Sequence, residues 1–505
     1  MTIGQQAIAT VAIVGGGSAG WMTAAALARF LPPGVAVTLI ESDAIGTVGV
    51  GEATIPQLRL FNQNIGIDED DFVARTGGSF KLGIEFAGWN GEGSRYLHAF
   101  GTIGRALGLV PFHHYWLAAG GAGDPASLWR HSACAAAARA DRFGRDPGSA
   151  QAPSGLAWAY HFDAARYAAY LRALAERGGV TRVEGRVVDV ALSGGDTIAA
   201  VMLADGRRIA ADFFIDCSGF AALLIGRMPG SAWDDWSSLL PCDRALAVPC
   251  AATAPITPYT RATARAAGWQ WRIPLQGRTG NGLVYASDYL SDDAALATLL
   301  GNLDGAASGD PRPLRFTTGR RRSPWIGNCV ALGLAAGFLE PLESTSIHLV
   351  QSGIARLLAL WPSAPARAAD IAAFNRQSER EWLAVRDFLI AHYVLNGRDE
   401  PFWRDRRATP LPDSLAERIE LFRGSGRILR DEHELFAEVA WLQLLIGQGV
   451  MPQGHHPLVR SLPTARLPEF LSLSATHVES IVARMATHDE FLRAHCPAPQ
   501  AKVAA

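Results

Sequence analysis

Near its start the chain reads Ile8-Ala9-Thr10-Val11-Ala12-Ile13-Val14, followed directly by Gly15-Gly16-Gly17-Ser18-Ala19-Gly20. The first seven residues form a short, mostly β-branched run, which is typical of a buried strand. The alanine-rich stretch from Trp21 to Phe30 predicts a helix, which Pro32-Pro33-Gly34 ends. A strand, a glycine turn and a helix in this order predict an α/β fold with a parallel sheet.

The glycines at positions 15, 17 and 20 have the Gly-x-Gly-x-x-Gly spacing of a dinucleotide-binding loop. The first glycine makes the tight turn, the second lets the backbone approach a pyrophosphate, and the third lets the helix pack on the strand. Val35 to Ile40 predicts the next strand, and Glu41 lies 21 residues after Gly20, at the spacing of the acid that accepts hydrogen bonds from ribose. A glycine turn with a purely structural role is the alternative, but the surrounding strand, helix and acid favour a bound dinucleotide.

Bulk composition excludes several classes of protein. The 505 residues are 49% apolar and 19% charged, which suits a globular protein with a large core. The 46 basic and 48 acidic residues nearly balance, whereas a nucleic-acid partner would need a concentrated basic surface. Six cysteines without CxxC spacing predict neither a zinc site nor a disulfide framework. The cysteine spacing leads us to expect no metal. Because no long uncharged apolar stretch and no signal peptide stand out, we also expect no membrane association and a cytoplasmic location.

Two downstream segments favour FAD over NAD as the dinucleotide. Ala211 to Gly219 resembles the strand and glycine turn that close on FAD in glutathione-reductase-type flavoproteins, and Asn328 to Gly333 resembles the later strand that reaches the ribityl chain. In this sequence Leu334 follows Gly333, where those flavoproteins usually have an aspartate. No second glycine fingerprint is present for NADPH, so reduced flavin is expected to come from a separate NAD(P)H-dependent flavin reductase.

The remainder of the chain has a coarser pattern. Residues 133–155, rich in Ala, Arg, Gly and Pro, indicate a surface excursion. Val183 to Val190 and Ile198 to Leu203 predict strands, and the pattern beyond Ile354 is mainly helical.

Lys81 is the first candidate catalytic residue. It lies in the mostly apolar stretch Phe80-Lys81-Leu82-Gly83-Ile84. A lone lysine is normally a solvated charge, but an amine held in such a setting would have a lowered pKa and more nucleophilic character.

The run Glu340-Pro341-Leu342-Glu343-Ser344-Thr345-Ser346-Ile347 supplies a second candidate site. It places a carboxylate, hydroxyl groups and a series of backbone amides at a predicted helix start, where N–H groups bind anions. Glu343 is the candidate base or charge stabiliser, and the alternative is a carboxylate that interacts only with the helix dipole. Glu340 is the competing carboxylate, to which we assign a structural role.

A third motif is Gly268-Trp269-Gln270-Trp271-Arg272-Ile273-Pro274, in which two tryptophans two apart on a strand would point to the same face. A core aromatic pair is the alternative reading of these residues. Together with Lys81 and the Glu340 to Ile347 run, the motif resembles the flavin-dependent halogenases of the tryptophan halogenase family. The resemblance extends from residue 8 to about residue 360.

The resemblance implies a fold and a reaction. The fold is α/β, with a GR2-type (Rossmann-like) FAD-binding domain and a mainly helical C-terminal substrate-binding region. The implied enzyme uses FADH2, O2 and a halide ion: a flavin C4a-hydroperoxide oxidises chloride or bromide to hypohalous acid, which halogenates a small, electron-rich, indole-type arene. One alternative is an FAD-dependent aromatic monooxygenase, against which the Trp-x-Trp motif argues. Another is a non-catalytic flavin-binding protein, against which the presence of both Lys81 and Glu343 argues.

The resemblance also implies a role for individual residues. Lys81 captures or hydrogen-bonds hypohalous acid, Glu343 stabilises the cationic ring intermediate, and Ser344 joins them in the catalytic set. Thr345 and Ser346 form the halide site. The residues that wall the flavin off from the arene are Trp269, Trp271, Ile273 and Pro274. His98 and Phe100 would stack on the arene, with core aromatics as the alternative, and Trp441 would also line the substrate pocket.

The implied FAD contacts begin with the glycine loop and include a strap over the flavin ring, Val48-Gly49-Val50-Gly51-Glu52-Ala53-Thr54-Ile55-Pro56. The expected cofactor-binding residues are Gly15, Gly16, Gly17, Ala19, Gly20, Glu41, Ser42, Ile45, Glu52, Ala53, Val187, Leu334 and Ile347.

The implied organisation places the FAD-binding halogenase core at residues 1–360, with inserted substrate-side segments at about 80–160 and 235–325. Residues 361–505 would form the helical region over the substrate pocket. Halogenases of free tryptophan hold the amino-acid head group with paired tyrosines in a lid, whereas residues 436–456 contain no tyrosine. Indole or another arene without that head group is therefore favoured. A homodimer is compatible with this organisation.

Overall fold

Residues 6–45, 51–145, 148–149, 152–432 and 434–499 are described by the computed structural model of the chain. Within them lie 26 strands and 14 α-helices. The strands are β1 (Gln6–Ala7), β2 (Thr10–Val14), β3 (Ala36–Glu41), β4 (Gly51–Ala53), β5 (Ser79–Lys81), β6 (Gly83–Ala87), β7 (Arg95–Ala99), β8 (Arg142–Phe143), β9 (Ala159–Asp163), β10 (Thr181–Glu184), β11 (Val187–Leu192), β12 (Ile198–Leu203), β13 (Arg208–Ile209), β14 (Phe213–Asp216), β15 (Trp233–Asp235), β16 (Arg244–Ala251), β17 (Thr260–Arg265), β18 (Gly268–Pro274), β19 (Arg278–Tyr285), β20 (Arg312–Arg315), β21 (Gly319–Arg321), β22 (Trp325–Ile326), β23 (Cys329–Ala331), β24 (Gly337–Phe338), β25 (Ser363–Ala364) and β26 (Ala486–Thr487). The helices are α1 (Ser18–Phe30), α2 (Gln57–Asn64), α3 (Glu69–Thr76), α4 (Phe112–Ala118), α5 (Ala133–Arg139), α6 (Ala164–Arg177), α7 (Asp292–Leu300), α8 (Ser346–Ala359), α9 (Ala368–Val394), α10 (Pro401–Arg407), α11 (Asp413–Ser425), α12 (Glu438–Gly447), α13 (Leu467–Ala483) and α14 (His488–His495).

A six-stranded, mostly parallel sheet carries the glycine loop. Its order is β10-β3-β2-β14-β23-β22, and only the last pair is antiparallel. The predicted strand, helix and second strand at the start of the chain are confirmed as β2, α1 and β3. The alanines of α1 are buried, because small side chains let the helix pack closely on its neighbours. The α/β fold with a parallel sheet is therefore confirmed.

A seven-stranded sheet carries the Trp-x-Trp motif. Its order is β20-β16-β19-β18-β17-β6-β7, and its neighbours are antiparallel except for β17 and β6. A third, three-stranded sheet has the order β4-β9-β5, and it joins Glu52 at one edge to Lys81 at the other. The chain beyond α8 continues mainly as helices α9 to α14.

Two local predictions were wrong. The expected surface excursion at residues 133–155 begins with α5, whose alanines and Cys134 are buried. Alanine-rich composition is equally suited to an exposed loop and to a closely packed helix, and only the surrounding core decides between them. The predicted single strand from Val183 to Val190 is divided between two sheets, since β10 ends at Glu184 and β11 begins at Val187. The Gly185 N–H still donates to the Glu41 carbonyl at 2.8 Å, which is the last contact with β3 before the chain joins the other sheet.

All six cysteines are unpaired, as expected. Among the helices of the described residues, none is both long and apolar enough to cross a membrane.

Candidate active site

A cleft of about 540 Å³ opens at the carboxyl ends of the central parallel strands. Ligands of open α/β sheets bind in this position. Most of the expected cofactor-binding residues line it, together with Ser346 of the expected halide site: Gly15, Gly16, Gly17, Ala19, Glu41, Ser42, Ile45, Glu52, Val187, Leu334 and Ile347. Gly20 and Ala53 are not part of the lining. Gly20 acts instead through close packing, since a Cβ there would lie 1.8 Å from the Gly15 carbonyl oxygen.

The glycine loop fits a dinucleotide. Gly15 has φ +114°, a conformation that favours glycine, and a Cβ at Gly16 would lie 1.4 Å from Glu41 Oε2. α1 begins without a side-chain cap, so its first N–H groups are available to an anion. Arg182 donates to Glu41 Oε1 at 2.6 Å and fixes that carboxylate at the end of β3. Sequence reasoning missed Arg182, because nothing in its spacing indicates this contact.

Substitutions in the loop should separate folding from FAD binding. Gly16→Ala would push the Glu41 carboxylate away, so both the melting temperature and the affinity for FAD should fall. At Gly17 an added Cβ would have no atom of the described residues within 4 Å apart from its chain neighbours, so Gly17→Ala fits the protein. It should keep the wild-type melting temperature but weaken FAD binding at least about tenfold, or roughly 1.4 kcal/mol, because the methyl group occupies space that the pyrophosphate needs. Thermal melts and flavin fluorescence titrations would measure both effects. Wild-type FAD affinity in Gly17→Ala would contradict the assignment.

The end of the expected strap borders the cleft. Val48, Gly49 and Val50 lie outside the described residues, and Gly51 to Ala53 form β4. Glu52 lines the cleft, and burial raises the pKa of its carboxyl group to about 7. Gly51 packs on the Trp-x-Trp strand, since a Cβ there would lie 3.5 Å from Ile273 Cγ2.

Lys81 and Ser344 meet in the interior. Both side chains are buried, and Lys81 Nζ donates to Ser344 Oγ at 2.8 Å. Ser344 has φ +59°, a left-handed conformation that is uncommon for a non-glycine residue and often marks functional sites. Lys81 Nζ also lies 5.5 Å from the centroid of the Phe100 ring. The structure thus brings together three residues that the sequence had placed in separate motifs.

The predicted lowering of the Lys81 pKa is confirmed. Burial lowers the pKa of its ammonium group to about 7, and the charge of Glu343 opposes this only in part. The folded state therefore binds the Lys81 proton less tightly than the unfolded chain. Burying this amine therefore lowers the free energy of unfolding. The reduction is largest at and below about pH 7, and it disappears as the pH rises towards the pKa of an unfolded lysine, roughly 10.4.

Lys81→Met should therefore stabilise the fold at neutral pH. The pKa shift sets an upper limit of roughly 4 kcal/mol on the gain at pH 7, and the loss of the hydrogen bond to Ser344 reduces it. Denaturant unfolding of both proteins between pH 7 and pH 10 would test this. The difference should shrink as the pH rises, and a difference that is constant over that range would contradict the buried-amine assignment.

Glu343 is held between two imidazoles. His98 Nδ1 lies 2.9 Å from both carboxylate oxygens, and His392 Nε2 lies 2.9 Å from Oε1. Burial alone would raise the pKa of Glu343, but the adjacent imidazoles of His98 and His392 outweigh it and lower the pKa to about 2. Glu343 is therefore held as a carboxylate. His392, on α9, was not found from the sequence, since no motif surrounds it.

Two of the expected substrate-pocket residues, His98 and Trp441, lie in one aromatic cluster with Phe388 and Phe436. Phe388 and Phe436 stack with centroids 3.7 Å apart, and Trp441 meets Phe388 edge-on at 4.7 Å. The His98 ring lies 5.7 Å from Phe388. His98 thus has a partner in Glu343 as well as an aromatic neighbour, which the sequence did not indicate.

The expected halide site lies at the start of α8. Thr345 is buried, and among the described residues its hydroxyl has no hydrogen-bond partner. Ser346 is the first residue of this 14-residue helix and lines the cleft. A helix start without a side-chain cap, next to an unpaired buried hydroxyl group, is suited to an anion.

The Trp-x-Trp strand, β18, contacts β4 through Ile273 and the segment that carries Glu340 and Glu343 through Trp269. Trp269 and Trp271 are both buried, with ring centroids 6.1 Å apart, so their predicted common face is confirmed. The Trp269 indole N–H donates to Glu340 Oε2 at 2.7 Å. At the other end of the strand Ile273 contacts β4, and the Pro274 carbonyl accepts from the Ser79 hydroxyl at 2.6 Å.

Known proteins resemble the chain over almost its full length. The family described as "Tryptophan halogenase" matches residues 10–464. Tryptophan 6-halogenase SttH of Streptomyces toxytricini is 35% identical over 499 residues, covering 92% of this chain and 94% of that protein. Two solved structures are more similar. Xcc4156, a flavin-dependent halogenase from Xanthomonas campestris, is 47% identical with a TM-score of 0.94, covering 98% of this chain and 99% of that one. BrvH, a flavin-dependent halogenase from Brevundimonas sp. BAL3, is 44% identical with a TM-score of 0.92, covering 97% and 99%.

Proposed function

Since the chain belongs to the tryptophan halogenase family and is a flavin-dependent halogenase, we propose that it transfers halogen from chloride or bromide to an electron-rich, indole-type arene. The observation that carries this proposal is the contact between buried Lys81 and strained Ser344, 2.8 Å apart, next to Glu343. Two residues farther along, Ser346 lines the cleft, so the cleft and the buried amine are joined by one short turn.

FAD is the cofactor that the cleft would hold, within a GR2-type FAD-binding domain. The glycine loop and the uncapped start of α1 would bind the pyrophosphate, and Glu41 would accept from the ribose. When bound in reduced form, FAD together with O2 supplies the two-electron oxidation that brings a halide to the level of hypohalous acid. A separate NAD(P)H-dependent reductase would deliver the reduced flavin.

The chain's own groups would then direct the halogen. Thr345 and Ser346 hold the halide at the start of α8. Lys81 binds the hypohalous acid through its amine, so that the electrophile is kept at one buried position. The arene gives up a proton and takes the halogen, and the hydroxide of the hypohalous acid leaves as water. Glu343, kept ionised by His98 and His392, stabilises the positive charge that develops on the ring.

The proposed organisation separates the oxidation from the arene. Residues 1–360, with inserted segments at about 80–160 and 235–325, form the halogenase core, and residues 361–505 cover the substrate pocket. Trp269, Trp271, Ile273 and Pro274 form the wall between the two sites, which we call the tryptophan wall. Phe100, His98 and Trp441 border the arene.

Incubation of the protein with FAD, a flavin reductase, NADH and bromide or chloride, with a panel of indoles, would test the proposal by mass spectrometry. Halogenated product should require the halide and the reductase, and NADH without reductase should not reduce the flavin. A hydroxylated arene that forms without halide would instead identify a monooxygenase.

Indole should be a better substrate than free L-tryptophan. A zwitterion loses solvation when it enters a pocket and needs paired partners there, and residues 436–456 contain Glu438 but no tyrosine, lysine or arginine. Equal concentrations of both compounds would compete for one enzyme sample, so the product ratio reports the ratio of kcat/KM values. Product dominated by halotryptophan would show that the head group is held elsewhere.

A further inference from the structure

Glu340 is a buried carboxyl group that the proposed reaction does not use. Its side chain is fully buried, and its Oε2 accepts hydrogen bonds from the Trp269 indole N–H at 2.7 Å and from the Tyr393 hydroxyl at 2.5 Å. Its other oxygen, Oε1, has no hydrogen-bond partner among the described residues. The two donors come from β18 and α9, which are far apart in the sequence.

Two carboxyl groups of one turn are thus held in different ways by consecutive residues of α9. His392 faces Glu343, and Tyr393 donates to Glu340. The hydrogen-bond donors to Glu340 are neutral groups, and burial raises the pKa of its carboxyl group to about 7 in spite of them. Glu343 is suited to carry charge, whereas Glu340 is suited to hold neighbouring groups in place.

The group that Glu340 holds on β18 belongs to the tryptophan wall. Trp269 is 1% exposed. A buried indole N–H that loses its acceptor costs free energy, so the buried position of the ring becomes less stable. Tyr393 is itself fixed, since its ring stacks on Trp403 with centroids 5.6 Å apart. The contacts Trp269–Glu340–Tyr393 therefore connect the wall, the turn that carries Glu343, and α9.

We propose that Glu340 is a positioning residue that holds Trp269 against the turn carrying Glu343 and Ser344, and thereby sets the fraction of oxidised halogen that reaches the arene. The inference rests on the proposed function, in which the halide is oxidised in the cleft and the arene lies beyond the wall. Without an acceptor on Glu340, the Trp269 ring can leave its position, and oxidised halogen can escape to solvent.

The first test needs no activity. In the NMR spectrum of the cofactor-free protein, the Trp269 indole N–H is assigned by its absence in Trp269→Phe, and its exchange with solvent is followed. Glu340→Leu should accelerate this exchange at least about tenfold, the effect of losing one hydrogen bond of roughly 1.4 kcal/mol. Glu340→Gln should keep slow exchange, because its amide oxygen can accept both donors.

The second test measures where the halogen goes. The protein turns over with FAD, reductase, NADH and bromide in the presence of indole and of a β-diketone in solution that traps diffusing hypobromous acid. The ratio of bromoindole to brominated trap should fall about tenfold in Glu340→Leu, in proportion to the lost hydrogen bond. In Glu340→Gln it should stay within about twofold of the wild-type ratio, and FAD affinity should be unchanged in both.

Glu69 provides a matched control, because it also accepts hydrogen bonds from a tryptophan indole, that of Trp158, and from a tyrosine hydroxyl, that of Tyr160. Glu69→Leu should keep the wild-type ratio, and a fall there equal to that of Glu340→Leu would overturn the specific role of Glu340. Trp269→Phe removes the same N–H donor and carries the test if Glu340→Leu does not fold. A wild-type ratio in the folded Glu340→Leu variant, or in Trp269→Phe, would overturn the proposal.

A failure of the proposed function would look different. Wild-type protein that brominates neither indole nor the trap would contradict the proposed function, and the exchange of the Trp269 N–H would still report on Glu340.

Discussion

Lys81→Ala is expected to lower kcat/KM for arene halogenation by roughly 10²–10⁴-fold or more, which is the effect of removing a group that acts on the reacting species. The amine is fully buried, has a pKa of about 7 and reaches Ser344 Oγ at 2.8 Å. FAD affinity should not change, because Lys81 is not among the residues that line the cleft.

The measurement is steady-state halogenation of indole, with flavin fluorescence titration of the same samples. Lys502→Ala is a matched control, because the sequence contains only these two lysines. Halogenation within a few-fold of wild type by Lys81→Ala would remove Lys81 from the mechanism. A loss of FAD binding in step with activity would show instead that the substitution disturbs the fold.

Glu343→Gln should reduce kcat by roughly 10²–10³-fold, the range found when one group that stabilises developing charge is removed. The amide keeps the shape of the side chain and can still form hydrogen bonds, so the effect should be smaller than that of Lys81→Ala. It cannot supply the negative charge that His98 and His392 maintain on Glu343. Because this charge acts in the transition state, kcat should fall more than KM rises.

Separate values of kcat and KM for indole would test this, with Glu438→Gln, an exposed position at the start of α12, as the control. An increase in KM alone would indicate that Glu343 binds the substrate without assisting the reaction. A wild-type kcat would assign the developing positive charge to another group.

Sequence patterns correctly located the features that depend on neighbouring residues. Gly15 to Gly20 lie between β2 and α1, and most of the residues expected to bind FAD line one cleft. Trp269 and Trp271 share a face, as their spacing on a strand requires. The apolar neighbours of Lys81 correctly indicated a buried amine with a lowered pKa. The roles that the family resemblance implies for these residues remain predictions.

Composition was a poor guide where burial depends on distant parts of the chain. The alanine-rich segment that begins at Ala133 suggested an exposed loop, yet its first residues form the buried helix α5. Similarly, Val183 to Val190 has the composition of a single strand, but its first residues pair with β3 in one sheet and its last residues pair with β12 in another. His98 was expected only as an aromatic surface, and its contact with Glu343 joins residues 245 positions apart.

The sequence by itself determined the parallel α/β fold, the position of the dinucleotide cleft and the two stretches that supply Lys81 and Glu343. These follow from backbone periodicity and from the special conformations of glycine, which act over a few residues. Only the tertiary structure decided that His392 and Tyr393 contact the two carboxyl groups of one turn, and that Arg182 holds Glu41. Such contacts depend on how whole strands and helices pack, and a contact between residues that are distant in the chain has no fixed spacing by which a single sequence could indicate it.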